Sequence, residues 1–439
     1  MADNLQRIIS GHKEGTGKGI YSICSANMYA LEAAIQQALA DDSPVLIEAT
    51  SNQVDQFGGY IGMTPEQFST FVYNIAEKAG LPRDRIILGG DHLGPNVWQN
   101  EAASEAMGKA HDQIQAYVSA GFTKIHLDAS MRLVDDPGHP GTPLDVELIA
   151  RRAAEMCQTA ERAADKLSPG AQRPCYVIGT DVPTPGGATD DAGVHVTPVN
   201  EVSDTIGANE RVFKQLGLEQ AWERVLAVVV QPGVEFGDSS VYKYAKEKAS
   251  GLSDLIAAHP QLVFEAHSTD YQTEAALTSM VEDHFAILKV GPWLTFAMRE
   301  AVFALDGIER ELAGPNSEGS LMHLPDVMEK VMLEQPQHWH KHYSGTPEDQ
   351  RLARKFSYSD RIRYYWPDPA VKDALHCLLK NLGSREIPDT LLSQYLPNQY
   401  EAVVSGTIRK TPTELIRHRI MEVTGKYARS CGQGNPAQR

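Results

Sequence analysis

Basic charge is in short supply in this sequence: 40 Lys and Arg stand against 57 Asp and Glu in 439 residues, a formal net charge of −17. A general nucleic-acid binder or an anionic-membrane binder needs a basic footprint, so neither class is expected. A small phosphorylated ligand stays open, because it needs only a local cluster of donors. Cysteine is scarce as well. Cys24, Cys157, Cys175, Cys377 and Cys431 are odd in number, scattered and free of any C-x-x-C pair. They read as reduced thiols, not as a disulfide frame. Long apolar runs are missing: the longest aliphatic one, Val225 to Val230, is far too short to span a bilayer. Met1 to Gly19 carries charges and glycines where a signal peptide needs an apolar stretch. The expectation is a cytoplasmic globular protein.

Several motifs are also lacking. Gly15-Thr16-Gly17-Lys18-Gly19 resembles a phosphate loop, but a Walker pattern needs Gly where His12 stands and Ser or Thr where Gly19 stands. An ATP-dependent kinase therefore has no support in the motifs. No Gly-x-Ser-x-Gly elbow occurs, and no Cys has a nucleophile setting. His338-Trp339-His340-Lys341-His342 reads as a solvated surface and not as a metal tract.

What is present is an alternation. Short, nearly continuous aliphatic runs occur at Gly19–Cys24, Val45–Ala49, Ile86–Gly90, Lys124–Asp128, Cys175–Thr180, Val225–Gln231, Leu262–His267 and Ala286–Val290. Strands buried on both faces of a parallel sheet look like this. Segments of helical period lie between them, among them Tyr29–Ala40, Pro65–Ala79, Ser104–Ala120, Leu144–Ala164 and Asp270–Asp283, with Thr64 as an N-cap before Pro65. Eight alternations predict an α/β fold, a (β/α)8 TIM barrel over residues 1–312. A doubly wound sheet is the competing arrangement, since period alone does not show closure. Residues 313–431 read as a mainly helical appendage packed on the barrel, and 432–439 as a disordered tail.

In such a barrel the chemistry belongs at the carboxyl ends of the strands. These ends read Cys24-Ser25-Ala26-Asn27, Glu48 to Gln53 with Asn52, Asp91-His92, Asp128, Thr180-Asp181, Gln231 to Glu235, Glu265 to Asp270 with His267, and Lys289-Val290-Gly291. Packing explains one polar strand end, but eight together imply a polar pocket at one face. His92 and His267 lie on nearly opposite strands among carboxylates, a reasonable divalent-metal site, with Zn²⁺ the usual partner of imidazole and carboxylate.

At these residues a family resemblance appears. Val45–Val54, Gly89–Pro95, Glu265–Gln272, Leu288–Pro292 and Ser359–Trp366 resemble the GatZ/KbaZ family, and the similarity runs over nearly the whole chain. The resemblance implies a subunit of tagatose-1,6-bisphosphate aldolase supporting a second, class II aldolase-type barrel, in galactitol and tagatose 6-phosphate catabolism, and an oligomer. Some relatives carry a tagatose-6-phosphate kinase label, and others are ketose 4-epimerases. The family is similar in turn to metal-dependent class II aldolases. That similarity implies Asp91 as the proton-transfer acid, and His92 and His267 as metal ligands. After strand six, where those aldolases place another ligand histidine, this sequence has Gln231 and Glu235. Either Glu235 completes the metal site or metal binding is weakened.

For a ketose phosphate, a carboxylate must take the C4 hydroxyl proton as C3–C4 breaks; Asp91 is the first candidate and Glu48 the second, with Asp128 nearby. Asn52, Gln53 and Asp181 are the expected sugar contacts. Lys289, Arg299 and the backbone at Gly291, with Arg361 or Arg363 reaching over, are expected to hold the phosphate. The same machinery supports aldol cleavage, C4 epimerisation of tagatose 6-phosphate to fructose 6-phosphate, or a non-catalytic supporting role. The supporting subunit is the leading expectation and the epimerase the alternative.

Overall fold

The computed structural model describes residues 4–139, 142–180, 182, 194–314 and 321–433. Eight parallel strands close into a barrel: β1 (Ile20–Ile23), β2 (Val45–Thr50), β3 (Ile86–Leu93), β4 (Lys124–Leu127), β5 (Cys175–Gly179), β6 (Val225–Val230), β7 (Val263–Ala266) and β8 (Ile287–Val290). The ring shuts where Ile20 to Ile23 of β1 pair in register with Ile287 to Val290 of β8. Every residue of these eight strands is buried, the result that nearly continuous aliphatic runs demand.

Each strand is followed by helix on the outside. Pro65–Ala79 starts at Thr64, where the Thr64 hydroxyl and the Gln67 side chain cap each other's backbone N–H groups. A small hairpin, Glu235–Phe236 paired with Val241–Tyr242, follows β6 and is not foreshadowed by any aliphatic run. The floor of the barrel is plugged from outside: Leu5 and Ile9 of the first helix pack with Ile20, Leu46, Ile87, Val263 and Ile287.

Beyond the helix that follows β8 (Pro292–Ala313), the chain adds helices at Leu324–Glu334, Pro347–Phe356, Pro369–Gly383, Asp389–Tyr395, Pro397–Val404 and Pro412–Ser430. The last of these packs against both Pro292–Ala313 and Met28–Asp41, so it sits in the outer ring between the helices of β8 and β1. Cys431 closes the circuit by accepting the Gly19 N–H at 3.0 Å. Of the expected tail, residues 434–439 lie outside the described residues. Among the described residues no helix is long and apolar enough to cross a membrane.

Candidate active site

Side chains alternate across a strand, so residues two apart share the inner face of the barrel. Going up each strand, that face changes character. Leu46, Ile87, Val263 and Ile287 belong to the apolar floor. The next inward positions on β2, β7 and β8 are Glu48, Glu265 and Lys289, joined by Lys124 at the start of β4. One step higher stand Asp91, His126 and His267. All are buried.

The middle layer is a charge network. Lys124 Nζ lies 2.8 Å from Glu48 Oε2 and 2.6 Å from Glu265 Oε2. Lys289 Nζ lies 2.8 Å from Glu48 Oε2, 2.8 Å from Asp91 Oδ1 and 3.5 Å from Glu265 Oε1. Ser22 donates to Glu48 Oε1 at 2.6 Å. Gly89 makes room for this arrangement, since a Cβ there would come within 2.6 Å of Glu48 Cγ. Burial alone would strip Lys289 of its proton, but Asp91, Glu265 and Glu48 hold its pKa well above the ordinary value.

The imidazoles sit above. The β3–β4 register shifts between Gly90 and Leu93, and His92 takes a left-handed backbone with φ 49°. Its Nδ1 lies 2.8 Å from Asp128 Oδ2, which also accepts from Asn96 at 2.7 Å. Glu265 Oε1 lies 2.9 Å from His267 Nε2. Each carboxylate fixes one ring nitrogen as the donor, the usual way a ligand histidine is oriented. The two remaining nitrogens, His92 Nε2 and His267 Nδ1, then face each other at 3.2 Å. Burial drives the His267 pKa down to about 3, while Asp91 and Asp128 lift His92 against its own burial. One proton on His92 can thus bridge the pair. Burial would push Asp91 up, but His92, Lys289 and His126 hold it well below the usual carboxylate range.

These residues fit a divalent ion. Asp91, His126, Glu265 and His267 offer ligand atoms all within 4.8 Å of one another. His126 Nε2 is buried with no hydrogen-bond partner. Asp91, Glu48 and Glu265 face the ammonium groups of Lys124 and Lys289, and Asp128 faces His92; four carboxylates against two ammonium groups leave a formal charge of −2 before any histidine is protonated. The 3.2 Å between the facing nitrogens also approaches the roughly 3.3 Å separating two ligands on a tetrahedral ion with bonds of about 2.0–2.1 Å.

Above this centre opens a cleft lined by Asn52, Gln53, Tyr60, Asp91, His92, His267, Asp270, Lys289, Gly291, Arg363 and Tyr364, among others. Of the residues expected from sequence, it thus gathers Asp91, His92, His267, Asn52, Gln53, Lys289 and Gly291. Glu48 and Asp128 lie behind it, buttressing Lys289 and His92.

Four expectations fare differently. Glu235 sits in the hairpin, where its Oε1 accepts the Phe236 N–H at 2.9 Å, and it is not among the carboxylates clustered with the imidazoles; His126 and Glu265 are there instead. Arg299 does not line the cleft: it is buried, 3.1 Å from Asp360 Oδ1, with its guanidinium carbon 4.1 Å above the Phe296 ring. Arg361 is buried behind Arg363, donating to His342 Nδ1 at 3.0 Å. Asp181 lies outside the described residues. The His338–His342 stretch is no plain solvated surface, since Trp339 is buried and His338 stacks on Tyr364 with centroids 4.8 Å apart. Lys124 and Glu265 had a signal in the sequence, the two-residue spacing of Lys124, His126 and Asp128 and of Glu265 and His267.

A barrel that turns from an apolar floor to carboxylates and imidazoles at its strand ends is a (β/α)8 protein, with its polar centre where that class places chemistry. Within that class, the chain belongs to the GatZ/KbaZ-like family of D-tagatose-1,6-bisphosphate aldolase subunits, whose family model matches residues 5–432. It is 45% identical to a solved structure, a probable tagatose 6 phosphate kinase from Sinorhizobium meliloti 1021, covering 94% of this chain and 100% of that one with a TM-score of 0.85. The YdjI aldolase from Escherichia coli K12 is more distant, at 14% identity, 85% and 100% coverage and a TM-score of 0.44. The family assignment rests on the first two matches.

Proposed function

We propose that this chain acts on ketose phosphates in the cytoplasm as the GatZ-type subunit of a tagatose-1,6-bisphosphate aldolase, beside a second barrel of class II aldolase type, in tagatose 6-phosphate and galactitol catabolism. The observation that carries the reading is the set Asp91, His92, His267 and Lys289 converging under an open polar cleft in a chain of this family.

The residues suit the chemistry as follows. Asp91 is kept ionised and lines the cleft, so it takes the proton from the C4 hydroxyl as C3–C4 breaks and returns it on re-addition. Lys289 stays an ammonium; it holds Asp91 Oδ1 in place and is no Schiff-base nucleophile in this state. Glu48 is saturated by Ser22, Lys124 and Lys289, which makes it a buttress and not a second base. Asn52 and Gln53 line the wall that sugar hydroxyls would touch. His92, His126, His267 and Glu265 would hold a divalent ion, for which we favour Zn²⁺; its contribution when bound is Lewis-acid polarisation of the ketose carbonyl.

The completeness of this buried set also favours a second reading, in which the chain alone epimerises C4 of tagatose 6-phosphate. The test is to incubate purified, zinc-loaded chain with tagatose 6-phosphate and tagatose 1,6-bisphosphate, alone and with a class II aldolase-type barrel. Cleavage of the bisphosphate that needs both chains supports the subunit. Fructose 6-phosphate formed by the chain alone, and lost in His92→Ala, establishes the epimerase. No turnover in any combination overturns both.

A further inference from the structure

Of the groups that sequence assigns to the substrate's anionic end, the three from the barrel and its rim are engaged elsewhere. Lys289 is held by Glu48 and Asp91, and Arg299 by Asp360. The Gly291 N–H donates to Asp270 Oδ1 at 3.0 Å, and the Trp293 N–H to the same oxygen at 2.8 Å. That carboxylate occupies the helix start where barrels of this class commonly bind phosphate. In a chain of charge −17, some other cation must face the cleft if its ligand is a phosphate ester.

Arg363 is that cation. It lies in the short helix Arg361–Tyr365, lines the cleft, and makes no ion pair among the described residues. Its Nη1 donates to the carbonyls of Ser359 and Asp360, and its Nη2 to the Tyr364 hydroxyl at 3.0 Å. Its Nε–H and one Nη2 hydrogen have no hydrogen-bond partner among the described residues. Together they form the edge that grips an oxyanion with two parallel bonds.

The surroundings reinforce it. The Arg363 guanidinium carbon lies 4.5 Å from the Tyr364 ring centre and that of Arg361 5.8 Å from it. Tyr60 meets the same ring edge-on at 4.8 Å. Arg361 is buried, with Nε unpartnered and Nη2 on His342. The nearby acids are engaged: Asp360 by Arg299 and Thr295, Asp238 by the Ser357 and Ser359 hydroxyls, Asp270 by the helix start. His338 and His342 add no positive charge at neutral pH, because burial and then the two guanidiniums hold both below the ordinary imidazole range. A loop brace needs donors; it does not need a half-buried guanidinium beside a buried one with no acid at ion-pair distance among the described residues, an arrangement that is costly until an anion arrives.

We propose that Arg363, backed by Arg361 and aligned by Tyr364, binds the terminal phosphate of the substrate, so that the segment after the barrel, not the barrel rim, reads the anionic group. The inference rests on the ketose-phosphate reading, and its test is built to separate the two.

Calorimetric titration with inorganic phosphate, at ionic strength matched with chloride, needs no catalysis. Saturable binding is expected, weakened about tenfold or more in Arg363→Gln and by a smaller factor in Tyr364→Phe, as loss of a charge-assisted fork requires. For whichever ketose phosphate is turned over, the bisphosphate with the second barrel or tagatose 6-phosphate by the chain alone, Arg363→Gln should raise KM by a similar factor while kcat stays within about threefold. Should that variant not fold, the unaltered protein still decides: phosphate should slow phenylglyoxal labelling of Arg363, mapped by mass spectrometry, and leave exposed Arg211 and Arg409 unaffected. Equal phosphate affinity in both proteins, or labelling of Arg363 indifferent to phosphate, overturns the assignment. Phosphate binding through Arg363 without turnover of any ketose phosphate keeps the site and sinks the functional reading instead.

Discussion

At the scale of single residues, two arginines close in the fold carry opposite roles, and only their neighbours reveal which is which. Arg299 is neutralised by Asp360 and bonded to the Lys355 carbonyl at 2.5 Å. Removing it strands a buried carboxylate, so Arg299→Ala should lower stability by about 3–5 kcal/mol, read as a shift of the urea midpoint. KM for a ketose phosphate should stay near the wild-type value, because Arg299 lies outside the cleft. A variant of normal stability with a raised KM would return Arg299 to the substrate. Sequence could not separate the two, since the pairing of Arg299 with Asp360 spans 61 positions.

The candidate metal centre poses the same question of neighbours. Asp91, His92 and His267 were legible because they end strands, where a parallel barrel must expose polar groups. Glu235 looked equally eligible, yet its hairpin turns it toward its own backbone. Ligand binding stabilises by mass action, about 2.7 kcal/mol at a hundredfold excess over Kd. Zn²⁺ should therefore raise the melting temperature of chelator-treated protein, and His267→Ala should abolish the rise while Glu235→Gln retains it. An equal rise in the His267→Ala variant would remove the ion from this centre.

At the scale of elements, all eight strands were legible, because burial on both faces leaves an uninterrupted aliphatic signature. The same continuity hid most of the inward rows: Glu48 was singled out, but Lys124 and Glu265 are polar interruptions whose two-residue spacing only acquires meaning once the barrel closes. The place of the terminal helix was not legible at all, since nothing local marks Pro412–Ser430 as a member of the outer ring. Its Tyr427 hydroxyl donates to the Thr269 carbonyl at 2.8 Å and lies 3.0 Å from Thr269 Oγ1, which itself donates to the Lys289 carbonyl at 2.5 Å. The last helix thus reaches the strand that carries Lys289. Tyr427→Phe leaves buried partners unmet and should cost about 1–3 kcal/mol in chemical denaturation. An unchanged midpoint would mean that the helix is held by its apolar face alone.

At the scale of the whole molecule, the charge is uneven: −17 overall, yet Arg363 lines the cleft, with the buried Arg361 near it. His342 senses both. Burial first, then the two guanidiniums and Lys341, bring its pKa down to about 4 from an ordinary 6.5. The folded protein therefore keeps His342 neutral where the unfolded chain would protonate it. Its contribution to stability is fully present above pH 6.5 and is lost as pH falls toward 4. Acidification toward the sequence pI of about 5.3 also relieves the general negative repulsion, which masks the effect in the wild type alone. Comparison with His342→Asn cancels that common part. Between pH 8 and pH 4.5 the wild type should lose more stability than the variant, measured as urea midpoints at each pH. Addition of phosphate should shrink the gap, because an anion beside Arg363 offsets the field that keeps His342 unprotonated. If the two proteins track each other across the range, neither burial nor the guanidinium pair holds His342 neutral in solution, and a gap that phosphate leaves unchanged assigns the shift to burial alone.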